Sequence, residues 1–485
     1  MNEIFMLFPI LFPIICGAVL YFLPIRKART RNIFVLAVLL ISTAAVWMLA
    51  IFTPEGELEI MRFTDNISFT LKLDGAGKIF SSLAAALWPV TAIYAFEYMA
   101  NEEHLGAFYA FFIMAFGATM GVAFADSIVT MYLFYELITL FTIPLVMHGR
   151  SEKSVAATKK YMLYSFGGAA FAFSCVAYLV SRGAESFTLG GSLTVVNSDE
   201  TLALVLFVFA FFGFGVKAAI FPFHGWLPSA SVAPTPVTAL LHAVAVVKAG
   251  VFAIIRLIYY SYGTDMLAGT WAQAVAMLFA IITILYGSSK ALKQTHFKRR
   301  LAYSTVANLS YIIFAATLMT GEGLIASFTH LVFHSLIKIC LFFAVGAVLH
   351  HTGREYIREL DGLGRKMPFT FAFFTIAAMA LVGIPPLCGF VSKWLIAESA
   401  ISHGSPLAVV GTVVLMISAF LTAMYALSIC VKAYFQKEGM NLSFEGVHEA
   451  GALMKVTMLI CALLCIFIGI FSGNFIEIIA KVVGI

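Results

Sequence analysis

The sequence predicts an all-α polytopic membrane protein of about fourteen transmembrane helices, and three observations carry that expectation. First, 61% of its 485 residues are hydrophobic and 11% are charged, against roughly 25% charged in ordinary soluble domains. Second, mean hydropathy is +0.97, and the apolar residues fall in runs of about 20, enough to span a bilayer as helix. Third, the basic residues collect in alternate connections between those runs. A soluble enzyme built on one core is excluded.

Taken in order, the apolar segments lie near 4–23, 32–52, 79–99, 107–124, 127–147, 161–181, 201–222, 237–260, 269–289, 301–319, 323–349, 369–397, 406–431 and 456–481. The first starts without a basic cluster, lacks a small-residue cleavage site and is long enough to span, so it reads as a helix and not a cleaved signal. One set of connections holds Arg26–Arg31, Arg150–Lys160, Lys290–Arg300, Arg354–Lys366 and the region of Lys432, Lys437 and Lys455. The opposite set holds little beyond Arg62, Lys72, Lys78 and Arg182. Basic loops stay in the cytoplasm, so both termini are expected outside, in the plasma (inner) membrane of a prokaryote. The chain reads as one membrane domain: N-terminal helices over 1–100, a first five-helix repeat over 105–260, a second over 269–431, and a C-terminal helix over 456–481.

The stretch from Phe211 to Arg256 organises the rest. Lys217 and Lys248 sit there in apolar runs, separated by Pro222, Pro228, Pro234 and Pro236. Each proline removes a backbone donor and crowds the preceding turn, so the seventh segment must break. The twelfth breaks at Pro385-Pro386 and carries Lys393. Broken helices five segments apart, each with a lysine, fit inverted repeats with ion sites where the helices unwind.

Glu136 lies about midway between Asp126 and His148, hence near the bilayer centre. An unpaired charge there costs roughly 2.5–3.5 kcal/mol, and Lys217 is its natural counter-ion. A lysine that binds its proton more tightly when a carboxylate is near is a switchable proton carrier; the competing reading is a static ion pair. His330, His334 and Lys338 follow at i, i+4 and i+8 and share one helical stripe. Rungs about 6 Å apart suit a water-bridged relay, and histidine titrates near physiological pH. Haem ligation is disfavoured, because two ligands to one haem face each other from different helices. His224, just past Pro222, is an auxiliary entry group at the cytoplasmic side of the break.

The seven cysteines all fall in apolar segments without a C-x-x-C pair, so neither a metal site nor an iron–sulfur cluster is expected. No G-x-G-x-x-G or Walker motif occurs, so neither nucleotide nor flavin is expected. The basic loops need no nucleic acid to explain them. No cofactor is expected.

The chain resembles, over nearly its whole length, the antiporter-like subunits of respiratory complex I, the Mrp-type cation/proton antiporters and the energy-converting membrane-bound hydrogenases and formate hydrogenlyases. The resemblance rests on LKLDGAGKIF, MYLFYELITLFTIPLV, GVKAAIFPFHGWLPSASVAPTPVTALLHAVAVVKAGVFAIIR, FKRRLAYSTVANLSYI, HLVFHSLIKICLFFAVGAVLHH and GIPPLCGFVSKWLI. It implies a functional pair at Glu136 and Lys217, a central lysine at Lys248, a terminal lysine at Lys393 and an auxiliary His242. The chain stops near the fourteenth span without a lateral helix, which points toward a shorter relative. The expected function is proton translocation, in a multisubunit complex driven by a redox partner such as an NADH dehydrogenase or hydrogenase. The alternative is a subunit of an Mrp-type Na+/H+ antiporter without a redox partner, with sodium passing through a neighbouring subunit. A haem- or quinone-binding role, or that of a passive spacer, is disfavoured by the buried lysines. Expected partners are the lipid bilayer, other membrane subunits and protons.

Overall fold

The computed structural model describes residues 3–53, 56–64, 67–194, 199–435 and 446–485; Lys437 lies outside them. The first helices are α1 (Phe8–Phe22), α2 (Ala28–Ile51), α3 (Gly75–Tyr98), α4 (Leu105–Phe124), α5 (Ile128–Val146), α6 (Glu152–Ser181) and α7 (Glu200–Lys217). Then come three pieces of broken helix, α8 (Trp226–Ala230), α9 (Thr235–Ala243) and α10 (Val246–Arg256), and the short α11 (Thr264–Leu267). The rest is α12 (Trp271–Lys293), α13 (Phe297–Thr317), α14 (Gly321–Thr352), α15 (Pro368–Val382), α16 (Cys388–His403), α17 (Pro406–Tyr434), α18 (Ala452–Ile470) and α19 (Ser472–Val483). Side-chain oxygens of Asp74, Ser127, Ser151, Thr270, Thr320 and Ser405 cap α3, α5, α6, α12, α14 and α17, satisfying backbone donors that lipid could not.

Among the described residues twelve helices are long and apolar enough to cross a membrane. The two expected segments outside that set are helical for a different reason. α13 begins with Lys298, Arg299 and Arg300 and carries Ser304, Thr305, Asn308 and Ser310, nearly all buried; it faces polar neighbours inside the bundle and not lipid. The twelfth segment is split into α15 and α16. α15 ends on Gly383, whose φ of +95° is the left-handed conformation that glycine enters freely, and Pro385-Pro386 follow in the connection.

Three expected spans change. The seventh helix ends at Lys217 and not at 222, and Trp226 Nε1 donates to the freed Val216 carbonyl at 2.7 Å. The eighth is not continuous: Val244 (φ −132°, ψ −48°) and Ala245 (φ −86°, ψ −91°) leave helical geometry between α9 and α10, and α10 runs into a π-helical turn at Leu257–Tyr262. The fourteenth, expected over 456–481, parts at Phe471 into α18 and α19. A hairpin of β1 (Leu58–Thr64) and β2 (Ile67–Leu71) occupies the α2–α3 connection, where no element was expected.

The α9–α10 span is buried along its whole length and α14 over 94% of its apolar window, against 33% for α1 and α17. Those two spans therefore form the axis, with α9 packed on α14 and α10 on α7. The positive-inside reading gives this frame a direction that can be measured. Ala156→Cys, at the basic start of α6, and Thr295→Cys, on the basic connection between α12 and α13, should escape an impermeant maleimide added to intact cells, while Ala268→Cys on the opposite face is labelled. The reverse labelling pattern would invert the topology.

Candidate functional site

Four lysines and three histidines of the candidate set lie in the interior along the axis. Lys217 is 1% exposed and sits at the C-terminal end of α7, where unpaired helix carbonyls favour a cation. Its Nζ donates to Glu136 Oε1 of α5 at 3.1 Å and also to the Tyr135 carbonyl. It lies over the Tyr135 ring, 3.3 Å from the centroid, a cation–π contact in a dry setting. Glu136 Oε2 is buried without a protein partner. The expected pair is therefore formed, and one carboxylate oxygen remains for water or for a second proton carrier.

No hydrogen bond joins Lys217 to Lys248 among the described residues; backbone packing brings their helices together. A Cβ on Gly250 would lie 2.5 Å from the Ala218 nitrogen and 3.0 Å from Lys217 Cβ, so only glycine lets α10 approach the end of α7 this closely. Lys248, two residues earlier, reaches α14 instead. Its Nζ is 3.0 Å from His334 Nδ1 of α14, within the range for direct proton transfer. The contact is a hydrogen bond in two arrangements: an ammonium donating to bare Nδ1, or Nδ1–H donating to a neutral amine.

His334 stacks on His330 at 5.7 Å between centroids, and His330 Nδ1 is 2.9 Å from Ser392 Oγ of α16. Ser392 adjoins Lys393. Lys393 Nζ donates to the Leu381 and Val382 carbonyls at 2.6 and 2.9 Å, the last acceptors of α15, and its Cδ packs 3.3 Å from where Gly383 would carry a Cβ. Broken helix and lysine thus satisfy one another, as half-helix ends do with ions in transporters. The Tyr311 ring lies 5.4 Å from Nζ.

The i, i+4, i+8 stripe divides. Lys338 does not continue the His330–His334 stack; its Nζ donates to the Leu301 carbonyl at 3.1 Å and to Ser304 Oγ, both on α13. His242 Nε2 lies 3.5 Å from Ser231 Oγ, beside Phe342. His224 sits 4.6 Å from the Tyr286 ring, apart from the Lys248 contacts. Nε2 of His330 and His334 and Nδ1 of His242 and His224 are buried without protein partners; such atoms are ordinarily met by buried water. Among the described residues no group of three or more His, Cys, Asp or Glu converges.

Residue spacing alone did not disclose Ser392, Ser304 or Tyr311, which enter only through tertiary contact. Nor did it disclose the far end of α10. There Arg256, 1% exposed, forms a two-pronged ion pair with Asp74, the cap of α3. Asp126, in the connection between α4 and α5, lies close by, and burial pushes its carboxyl up to about 7 against the pull of Lys72.

The family model described as "NADH:quinone oxidoreductase/Mrp antiporter, TM" matches residues 125–422. "Na(+)/H(+) antiporter subunit A1" of Staphylococcus haemolyticus (strain JCSC1435) is 32% identical over 444 residues, covering 86% of this chain and 54% of that protein. The protein of the same name from Staphylococcus aureus (strain JH9) is 30% identical over 440 residues, covering 84% and 53%. The chain therefore spans about half the length of the curated relatives it matches. A chain of the Mrp complex from Dietzia sp. DQ12-45-1b superposes with a TM-score of 0.86 at 20% identity, covering 99% of this chain and 97% of that one. A chain of the membrane-bound sulfane sulfur reductase, an archaeal respiratory membrane complex, gives 0.87 at 21% identity, covering 99% and 98%. At these identities the structural likeness is one of fold.

Proposed function

The chain belongs to the NADH:quinone oxidoreductase/Mrp antiporter transmembrane family, and from that premise we propose that it is an antiporter-like membrane subunit of an Mrp-type Na+/H+ antiporter. It moves protons between Glu136, Lys217, Lys248, His334, His330 and Lys393. The sequence alone put the redox-driven complex first. The relatives named as Na+/H+ antiporter subunits support the other reading, and the fold shared with a reductase complex is neutral between them.

The observation that carries the proton role is the fully buried Lys248–His334 contact at 3.0 Å. A lysine there has no carboxylate partner among the described residues, and a buried unpaired ammonium is expensive. A neighbouring imidazole lets it give the proton away instead. Lys338, held on Ser304, is a side branch toward α13, with His242 and His224 as auxiliary groups on the basic side. Coupling to sodium and the partner subunits belong to the assembled complex, with the basic connections cytoplasmic.

Everted vesicles from cells expressing the chain with its co-assembling subunits test this. Added Na+ should collapse a preformed pH gradient, and Lys248→Ala should reduce the rate by about tenfold or more, equivalent to at least ~1.4 kcal/mol on the limiting barrier. Proton movement that follows an electron donor and ignores Na+ would restore the redox-driven reading.

A further inference from the structure

A cavity opens on the lateral face where α6, α7 and α12 meet. It has a volume of about 610 Å³ and walls that include Tyr164, Gly167, Phe209, Phe212 and Phe221. We propose that it binds an anionic phospholipid, with one acyl chain along the aromatic wall and the phosphate between Lys160 and Lys290.

The groove opens sideways: Leu163 and Phe209 on its rim are 73% and 43% exposed, on helices that cross the membrane. A second cavity of about 320 Å³ shares Phe171 and Phe209 and extends it to Ser174. From Tyr164 to Ser174 α6 rises about 15 Å, half of the ~30 Å hydrocarbon core and so the depth of one leaflet.

The charge at one end selects the headgroup. Lys160 stands one turn before Tyr164 on α6, with Nζ 3.2 Å from Ser229 Oγ and 5.9 Å from the Tyr164 ring. Lys290 stands one turn beyond Tyr286 on α12 and over its ring at 5.5 Å, and that ring lies 5.1 Å from Phe221. Both cations act on His224, whose Nδ1 is buried without a partner. Among the described residues neither lysine forms an ion pair. Two uncompensated cations at the basic end of an intramembrane groove fit a phosphate whose lipid tail fills the rest. Val216 and Phe221 of the same wall bracket Lys217, so the bound lipid lies against the break that carries the Glu136 ion pair.

The test needs no transport assay. The assembled complex is placed in phosphatidylcholine vesicles doped with phosphatidylglycerol carrying a diazirine on one acyl chain, and cross-linked peptides are mapped. Label should concentrate on residues 163–174 and 206–223. Gly167→Trp fills the groove where a Cβ meets nothing within 4 Å, and should cut that label at least tenfold. Lys160→Gln with Lys290→Gln should remove the preference over a phosphatidylcholine probe of the same chain. Equal labelling of the native complex by both probes would overturn the proposal, leaving ordinary boundary lipid. Absence of label from these helices would also overturn it, since a neighbouring subunit then covers the groove.

Discussion

Glu136→Gln is expected to lower Na+-dependent proton exchange by about tenfold or more while the complex still assembles. The substitution keeps the shape of the side chain and its capacity to accept a hydrogen bond, so Lys217 Nζ can still reach an oxygen where Oε1 now lies at 3.1 Å. What is lost is the charge that keeps the proton on Lys217 in a site 1% exposed. Removing one partner from a buried ion pair typically costs about 3–5 kcal/mol when the other must stay charged. A lysine can escape that penalty by deprotonating, which is why assembly survives and exchange does not. Lys217→Ala should be equally inactive, and the double substitution no worse than either single one, as expected of two groups that act only together. Normal exchange by both single variants in vesicles would reduce the pair to a structural tie between α5 and α7.

How far the site was legible in the sequence follows from the kind of contact each residue makes. Glu136 and Lys217 were paired correctly because two lone opposite charges at matching depth in lipid have few other choices. The spacing of His330, His334 and Lys338 correctly put them on one helix. Their partners lie on α10, α16 and α13, and no periodicity along α14 reports which helix faces it. The seventh and twelfth breaks were visible because proline imposes them. The break at Val244–Ala245 was not, since neither residue disfavours helix enough to stop one. The segment over 301–319 is expected as a span like the others, and the polar face of α13 finds its reason only inside the bundle, where Lys338 donates to Ser304. The β1–β2 hairpin leaves little trace among long apolar runs, since its strands are only 7 and 5 residues long.

Lys393 separates a proton carrier from a structural cation more cleanly than any other residue of the set. Its ammonium donates to the carbonyls of Leu381 and Val382, the exposed acceptors at the end of α15. That arrangement would serve equally well as a fixed cap on a broken helix, and a fixed cap needs only a donor and a positive charge. Arginine supplies both. It cannot release a proton inside a protein. If Lys393 passes on protons arriving through His330 and Ser392, Lys393→Arg should retain the complex at near-native abundance and lose exchange by about tenfold or more. Lys393→Ala should lose as much exchange and less stable complex besides, since the two carbonyls are left without a donor. A capping role predicts the opposite order, with Arg active and Ala damaged. The stem of Lys393 packs tightly on Gly383, so complex abundance is measured alongside exchange for each variant. Near-native exchange in Lys393→Arg, at native abundance, would take Lys393 off the proton path and end that path at His330.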